Sequence, residues 1–379
     1  MNIETIYTDK PLNEPAVRLL RENLSSGSLI AGAISKKIDI QISVSKIISD
    51  VCTFGDDGVI NWVSKLDKVE LTSSTLRVDV RDIDKAHREA EPAFLTLIRR
   101  VIANIREYQQ SILIPTPPPL RRGSRELGVR YTPVDRACVY VPGGRALYPS
   151  TVLMTVVPAQ VAGVKEIVMA SPPSFKGDIH PMVLALAGEL GVTEVYRVGG
   201  AVAIAAMAYG TGSIRAVDKI VGPGNAFVAE AKRQVLGQVG IDSIAGPSEV
   251  FIIADDAAPA AYVAADMLAQ AEHDPGSAVL ATPSRKLAEA VKAELETQLA
   301  TLSRRDATAA ALEKFSAIIV VPDIAAACEL ANDFATEHLQ IMTADDDAAL
   351  ARIRNAGAIF VGSSTPVPLG DYYAGPSHV

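Results

Sequence analysis

The chain has 379 residues, 49% hydrophobic and 21% charged, which is ample for a large core and more than one domain and excludes intrinsic disorder as the main state. Against 36 Lys and Arg stand 44 Asp and Glu, a formal charge of −8, so the basic character that drives nucleic-acid binding is missing and nucleic acid is not an expected partner. Cys52, Cys138 and Cys328 lie far apart with no Cys-x-x-Cys pair, which points to reduced thiols and a cytoplasmic location and away from a disulfide framework or zinc knuckle.

The N-terminal Met1-Asn2-Ile3-Glu4-Thr5 lacks the charge and apolar run of a signal peptide, and no stretch of about 18 uncharged apolar residues suggests a membrane span. Residues 1–30 read as a tail. From about residue 12 to 113 apolar residues recur at helical spacing, through Val44-Ser45-Lys46-Ile47-Ile48, Phe94-Leu95-Thr96-Leu97-Ile98 and Val101-Ile102. Residues 31–136 are expected to be a helical part packing with the second of two α/β units. Four prolines and two arginines between Pro115 and Arg122 break the helical pattern and mark a linker.

Beyond Arg136, short β-branched runs alternate with Ala- and Leu-rich stretches of helical length. Strands are expected at Cys138–Val141, Glu166–Ala170, Glu194–Val198 and Val217–Ile220, then at Val250–Ala254, Ala278–Ala281, Ala317–Val321, Leu339–Met342 and Ala358–Val361. Parallel strands need crossovers of this length, so the fold class is α/β, with two Rossmann-like, doubly wound parallel sheets after a helical lead-in. Residues 137–247 form the first such domain and 248–379 the second, with a hinge at Ala245-Gly246-Pro247-Ser248 and a ligand site expected in the cleft at the strands' carboxyl ends.

Three glycine turns close strands of the first sheet: Pro142-Gly143-Gly144, Gly199-Gly200 and Gly222-Pro223-Gly224-Asn225. Glycine lets a backbone approach a phosphate and a helix N-terminus favours an anion, although turns at strand ends are commonly glycine-rich. In the second unit, Gln270 and His273 are three apart on a helix expected at Ala258–Glu272 and can meet one metal ion; His273 also suits a helix C-terminus for its dipole alone, and spacing does not decide. Glu337-His338 offers a carboxylate beside an imidazole, the pair that proton transfer at neutral pH needs, provided both sit in the turn before a strand. Of five histidines, His87 lies on a charged helix face and His180 at a helix start, whereas His273, His338 and His378 all fall at element ends in the second unit. Asp371 and His378 fall in a loop after the last strand.

With these residues in place, the chain resembles the histidinol dehydrogenase family from the helical lead-in to its last residue. The resemblance rests on Val139-Tyr140-Val141-Pro142-Gly143-Gly144, the run Lys219 to Val228, Ala245-Gly246-Pro247-Ser248-Glu249-Val250, Gln270-Ala271-Glu272-His273, Thr336-Glu337-His338 and Gly370-Asp371-Tyr372, in the family's order. It implies NAD-dependent oxidation of L-histidinol to L-histidine through the aldehyde, with one zinc per site, by a cytoplasmic homodimer without a membrane partner. Gln270, His273 and Asp371 match zinc ligands that also hold the substrate. His338 matches the general base, which also touches substrate, and Glu337 the residue that activates water; Ser248 and His378 match substrate contacts, and Tyr140 and Asn225 match NAD contacts.

Two positions depart from the family: Val202, at a position that touches NAD, stands where most members carry Gln, and Val367 where many carry Glu. The family pattern also continues past Val379 into a small C-terminal domain that supplies a Glu and a fourth zinc ligand, so a fragment with three protein ligands is expected. The alternatives are a paralogue oxidising another zinc-bound alcohol and an inactive NAD-binding homologue.

Overall fold

The computed structural model describes residues 3–25, 34–143, 149–244, 248–273 and 276–377. Its strands are β1 (Glu4–Tyr7), β2 (Leu120–Arg122), β3 (Arg125–Leu127), β4 (Arg136–Tyr140), β5 (Glu166–Ser171), β6 (Glu194–Arg197), β7 (Lys219–Val221), β8 (Gly240–Ile241), β9 (Ser248–Ala254), β10 (Gly276–Thr282), β11 (Ala317–Val320), β12 (His338–Met342) and β13 (Ala358–Val361). The chain divides into two compact units, Lys37–Ala245 with Asp371–Val379, and Met1–Lys36 with Gly246–Gly370. Residues 245–247 of the expected hinge lie outside the described residues, and residues 371–379 group with the first unit, which corrects their expected place in the second.

The first unit is built on a parallel sheet of order β6-β5-β4-β7-β8. Along β4 the side chains alternate between its faces: Cys138 and Tyr140 join one core cluster, Val139 and Val141 another. Helix Gly200–Tyr209 is apolar all round, with Ala201 through Ala208 buried, as a helix enclosed on every side must be.

The helical lead-in belongs to this unit, which corrects the expectation that residues 31–136 pack with the second. Val44, Ile47 and Val51 of helix Ile34–Phe54, with Val59 and Val63 of helix Asp56–Asp67, bury against Cys138, Val168 and Ile220; Ile98, Val101 and Ile105 of helix Pro92–Ser111 cover the opposite face beside Val139 and Met169. Amphipathic spacing identifies which helix face is buried, not which sheet receives it. Part of the proline-rich linker forms the exposed hairpin β2–β3, paired antiparallel with Arg121 opposite Glu126.

The second unit has a six-stranded parallel sheet of order β1-β11-β10-β9-β12-β13. Val250, Ile252 and Ala254 of the central strand β9 face one cluster, Phe251 and Ile253 the other, so helices cover both faces. The expected N-terminal tail is in part structural: β1 pairs with β11, with Ile3 and Ile6 buried, and Val17, Leu20 and Leu24 of helix Pro15–Ser25 pack on the same sheet. Among the described residues no helix is long and apolar enough to cross a membrane.

Candidate active site

In the second unit the chemistry gathers where β12 begins. Helix Ile324–Phe334 ends at Ala335 with φ 50°, and the chain turns through Thr336 and Glu337 into the strand. Backbone N–H groups of Gly357 and Ala358 donate to the carbonyls of Thr336 and Glu337. His338 is thus the first residue of a strand paired on both sides, opposite Val250 and Ala358, so only Glu337 lies in the turn expected to hold both; at the strand's first position the change from turn to strand falls between the two residues.

The His338 ring is buried, 3% exposed, and meets Phe360 edge-on with centroids 5.6 Å apart. Its Nδ1 lies 3.2 Å from Oε1 of Gln270 on helix Ala260–Ala271. A proton on Nδ1 donated to this amide oxygen makes Nε2 the basic nitrogen. The Glu337 carboxylate accepts hydrogen bonds from the Ser248 side chain and the Glu249 backbone, and burial raises its pKa. Its Oε2 is buried without a hydrogen-bond partner among the described residues.

Beside it, Glu249 is pushed up to about 7, first by burial and then by the charge of Glu337. Two half-buried carboxylates side by side disfavour double ionisation, so one proton is readily kept on the pair near neutral pH. Asp266, one turn before Gln270 and 3% exposed, is also pushed up to about 7 by burial, although it accepts the backbone N–H of Val367.

The residues present fit a zinc ion. Gln270 is 2% exposed, yet its Nε2 has no partner among the described residues, so the protein alone does not complete its hydrogen bonding. Its amide oxygen has a second lone pair besides the one facing His338. Burial lowers the pKa of His273, keeping the imidazole in the neutral form that binds metals. Amide oxygen and imidazole are donors that zinc accepts. Gly276 opens β10 so close to the helix end that a Cβ there would lie 2.1 Å from the Gln270 carbonyl oxygen and 2.9 Å from that of His273. Asp371 begins the segment grouped with the first unit, where Asn104 donates to the Tyr373 carbonyl and Ser377 to that of Met154. Among the described residues no three His, Cys, Asp or Glu side chains form a ready metal cluster.

In the first unit the glycine turns follow β4, β6 and β7 at one edge of the sheet. Tyr140, 4% exposed, spans two of them: its hydroxyl accepts the Gly200 N–H at 3.1 Å, and burial pushes its pKa up to about 12. Gly200 begins its helix with open space where a side chain would be, a cradle at a positive helix end that suits a dinucleotide phosphate. Asn225 caps helix Ala226–Val235, its side-chain oxygen accepting from Phe227 and Val228, which turns its amide NH2 to other partners. Val202 is buried in the core at 1% exposure and Val367 at 2%.

His378 and Gly144 lie outside the described residues. His87 pairs with Glu189 at 2.8 Å and His180 caps its helix, so neither belongs to the candidate site. Sequence reasoning missed Glu249 and Asp266. Glu249 adjoins Ser248 in a motif already noted, and Asp266 lies four residues before Gln270, the spacing of one helix face.

Two doubly wound sheets, a glycine-lined edge that suits a dinucleotide and a carboxylate beside a buried imidazole define a nucleotide-dependent dehydrogenase. A family model described as "Histidinol dehydrogenase" matches residues 32–379. Histidinol dehydrogenase of Rhodopirellula baltica is 46% identical over 390 residues, covering 100% of this chain and 85% of that protein. That of Geobacillus kaustophilus is 50% identical over 338 residues, covering 89% and 79% respectively. The crystal structure of histidinol dehydrogenase from Elizabethkingia anophelis superposes with a TM-score of 0.89 at 31% identity, covering 100% of this chain and 85% of that one. This chain belongs to the histidinol dehydrogenase family, whose members are NAD-dependent, zinc-containing oxidoreductases of histidine biosynthesis.

Proposed function

We propose that this chain oxidises L-histidinol to L-histidine through L-histidinaldehyde in the cytoplasm, as a homodimer. The observation that carries the reading is the Glu337–His338 pair at the mouth of β12, with His338 hydrogen-bonded to Gln270 and Glu337 anchored by Ser248. Gln270, His273 and Asp371 would hold the zinc; Ser248 and His378 would touch substrate, and Tyr140 and Asn225 would line the NAD site, whereas Val202, expected there, is enclosed in the core. When bound, zinc supplies the positive charge that orients the amino alcohol, and NAD supplies the hydride acceptor.

The chain's own residues move the protons. In the first oxidation the carbinol carbon gives up hydride while its hydroxyl proton passes to Nε2 of His338, leaving the aldehyde. Glu337 then takes a proton from water as the hydroxide adds to the aldehyde carbon, and the proton held on His338 returns to the former carbonyl oxygen, which gives the hydrate and leaves His338 basic again. Loss of the second hydride, with His338 taking a hydrate proton, yields the acid. Burial suits both groups to this work: it raises the Glu337 pKa towards the working range and excludes bulk water from His338.

The test is to incubate the purified protein with NAD, zinc and L-histidinol and separate the products. L-Histidine formed together with NADH supports the reading. Turnover of other amino alcohols with none of L-histidinol would replace the substrate, and no NADH from any of them would remove the assignment.

A further inference from the structure

Lys232 is 3% exposed, an expensive place for an ammonium group unless its partners are fixed. It projects from helix Ala226–Val235, and both of its partners concern one peptide segment. Its Nζ donates to the Gly222 carbonyl at 2.5 Å and to Oδ1 of Asp242 at 2.5 Å, while Oδ2 of Asp242 accepts the Gly222 N–H at 2.7 Å. The two side chains thus hold Gly222 by its donor and its acceptor together. Asp242 follows β8, so the grip ties a neighbouring strand, a helix and the turn after β7 to one residue.

Gly222 needs such a grip. Its φ is 123°, a conformation that residues with side chains rarely adopt, and a Cβ there would lie 2.1 Å from the Tyr140 carbonyl oxygen. A glycine also has the most backbone freedom to lose, so an unclamped turn at this point would sample other conformations. Three residues on, Asn225 caps the helix with its oxygen and offers its NH2 outward. The orientation of Gly222 therefore sets where Asn225 and the helix N-terminus stand, and it lies against the backbone of Tyr140, whose hydroxyl accepts the Gly200 N–H of the second glycine turn.

We propose that Lys232 and Asp242 are positioning residues for the cofactor: a buried ion-pair clamp that fixes the Gly222–Asn225 turn in the form that binds NAD. The proposal rests on the reading of this sheet edge as the NAD site. It separates two jobs that a buried ion pair can have, stabilising the fold and shaping a ligand turn.

Wild type, Lys232→Met, Asp242→Asn and the double variant are compared by melting temperature, by NADH affinity from fluorescence titration without L-histidinol, and by kcat and KM for each substrate. Lys232→Met leaves a half-buried carboxylate without its cation and should lower both melting temperature and NADH affinity. Asp242→Asn keeps an acceptor for the Gly222 N–H and should weaken NADH binding by about 3- to 10-fold. The double variant carries no unpaired charge, so its melting temperature should recover most of the loss, since neutralising both partners of a buried pair is often tolerated. Its NADH affinity should stay at least 10-fold below wild type, with KM for NAD raised as much and kcat and KM for L-histidinol within about 3-fold. NADH affinity that returns to the wild-type value together with stability, or variants that bind NADH as wild type does, would overturn the clamp while leaving the NAD site standing. Wild-type protein that binds no NADH would remove the NAD site itself and the clamp with it.

Discussion

The imidazole Nδ1 of His338 lies 3.2 Å from the amide oxygen of Gln270, so the side chain proposed to hold the metal also fixes the ring proposed to move the proton. Binding and proton transfer are coupled through one hydrogen bond. Gln270→Leu removes both functions at similar volume and should lower zinc affinity by about 10- to 100-fold and kcat by about 100-fold or more. Metal content after dialysis, measured beside kcat at saturating zinc, separates the two losses. Full zinc retention with full activity would remove Gln270 from the site.

Tyr140→Phe deletes the hydroxyl that accepts the Gly200 N–H while keeping the buried ring. The expected cost is about 1 kcal/mol of stability, the typical net worth of such a bond. If the hydroxyl also sets the helix N-terminus that receives the cofactor, KM for NAD should rise several-fold with KM for L-histidinol unchanged. A KM for NAD equal to the wild-type value would leave Tyr140 a purely structural residue.

Asp266 gives a pH-dependent prediction whose sign follows from its burial. Its pKa is raised from 3.8 to about 7, so between those values the folded protein holds a proton that the unfolded chain has lost. Stability attributable to this group is therefore present at pH below about 4 and declines as pH rises towards 7 and beyond. Asp266→Asn keeps an oxygen for the Val367 N–H and removes the ionisation, so it should stabilise the protein at pH 8 by about 2 to 4 kcal/mol and hardly at all at pH 4. Melting temperatures of both proteins across that range test it. A gain of equal size at both ends would refute the ionisation argument.

Much of the fold could be read from local pattern because its strands are short apolar runs bounded by turns. Cys138 to Val141 and Val250 to Ala254 are buried on both faces, which gives them an unbroken apolar character that a surface strand lacks. Glu4–Tyr7 carries no such mark: only Ile6 among its four residues is buried, and its partner β11 lies some three hundred residues away in the chain. The docking of helix Ile34–Phe54 on the first sheet was likewise hidden, since Val44, Ile47 and Val51 mark a buried face without naming what covers it. At the site, adjacency made Glu337 and His338 visible as a pair. The hydrogen bond between His338 and Gln270, the crowding of Glu249 against Glu337 and the ion pair under Gly222 all join distant segments, and only the fold brings them together.

The central claim is that His338 serves both oxidations while Glu337 serves the step between them, and the number of NADH formed per L-histidinol consumed tests it most directly. The wild-type protein with zinc should give two NADH and L-histidine. Glu337→Gln, which keeps an acceptor for Ser248 and Glu249 but cannot take a proton from water, should fall towards one NADH with L-histidinaldehyde accumulating. A Glu337→Gln protein that still gives two NADH at the wild-type rate would contradict the division of labour between the two residues.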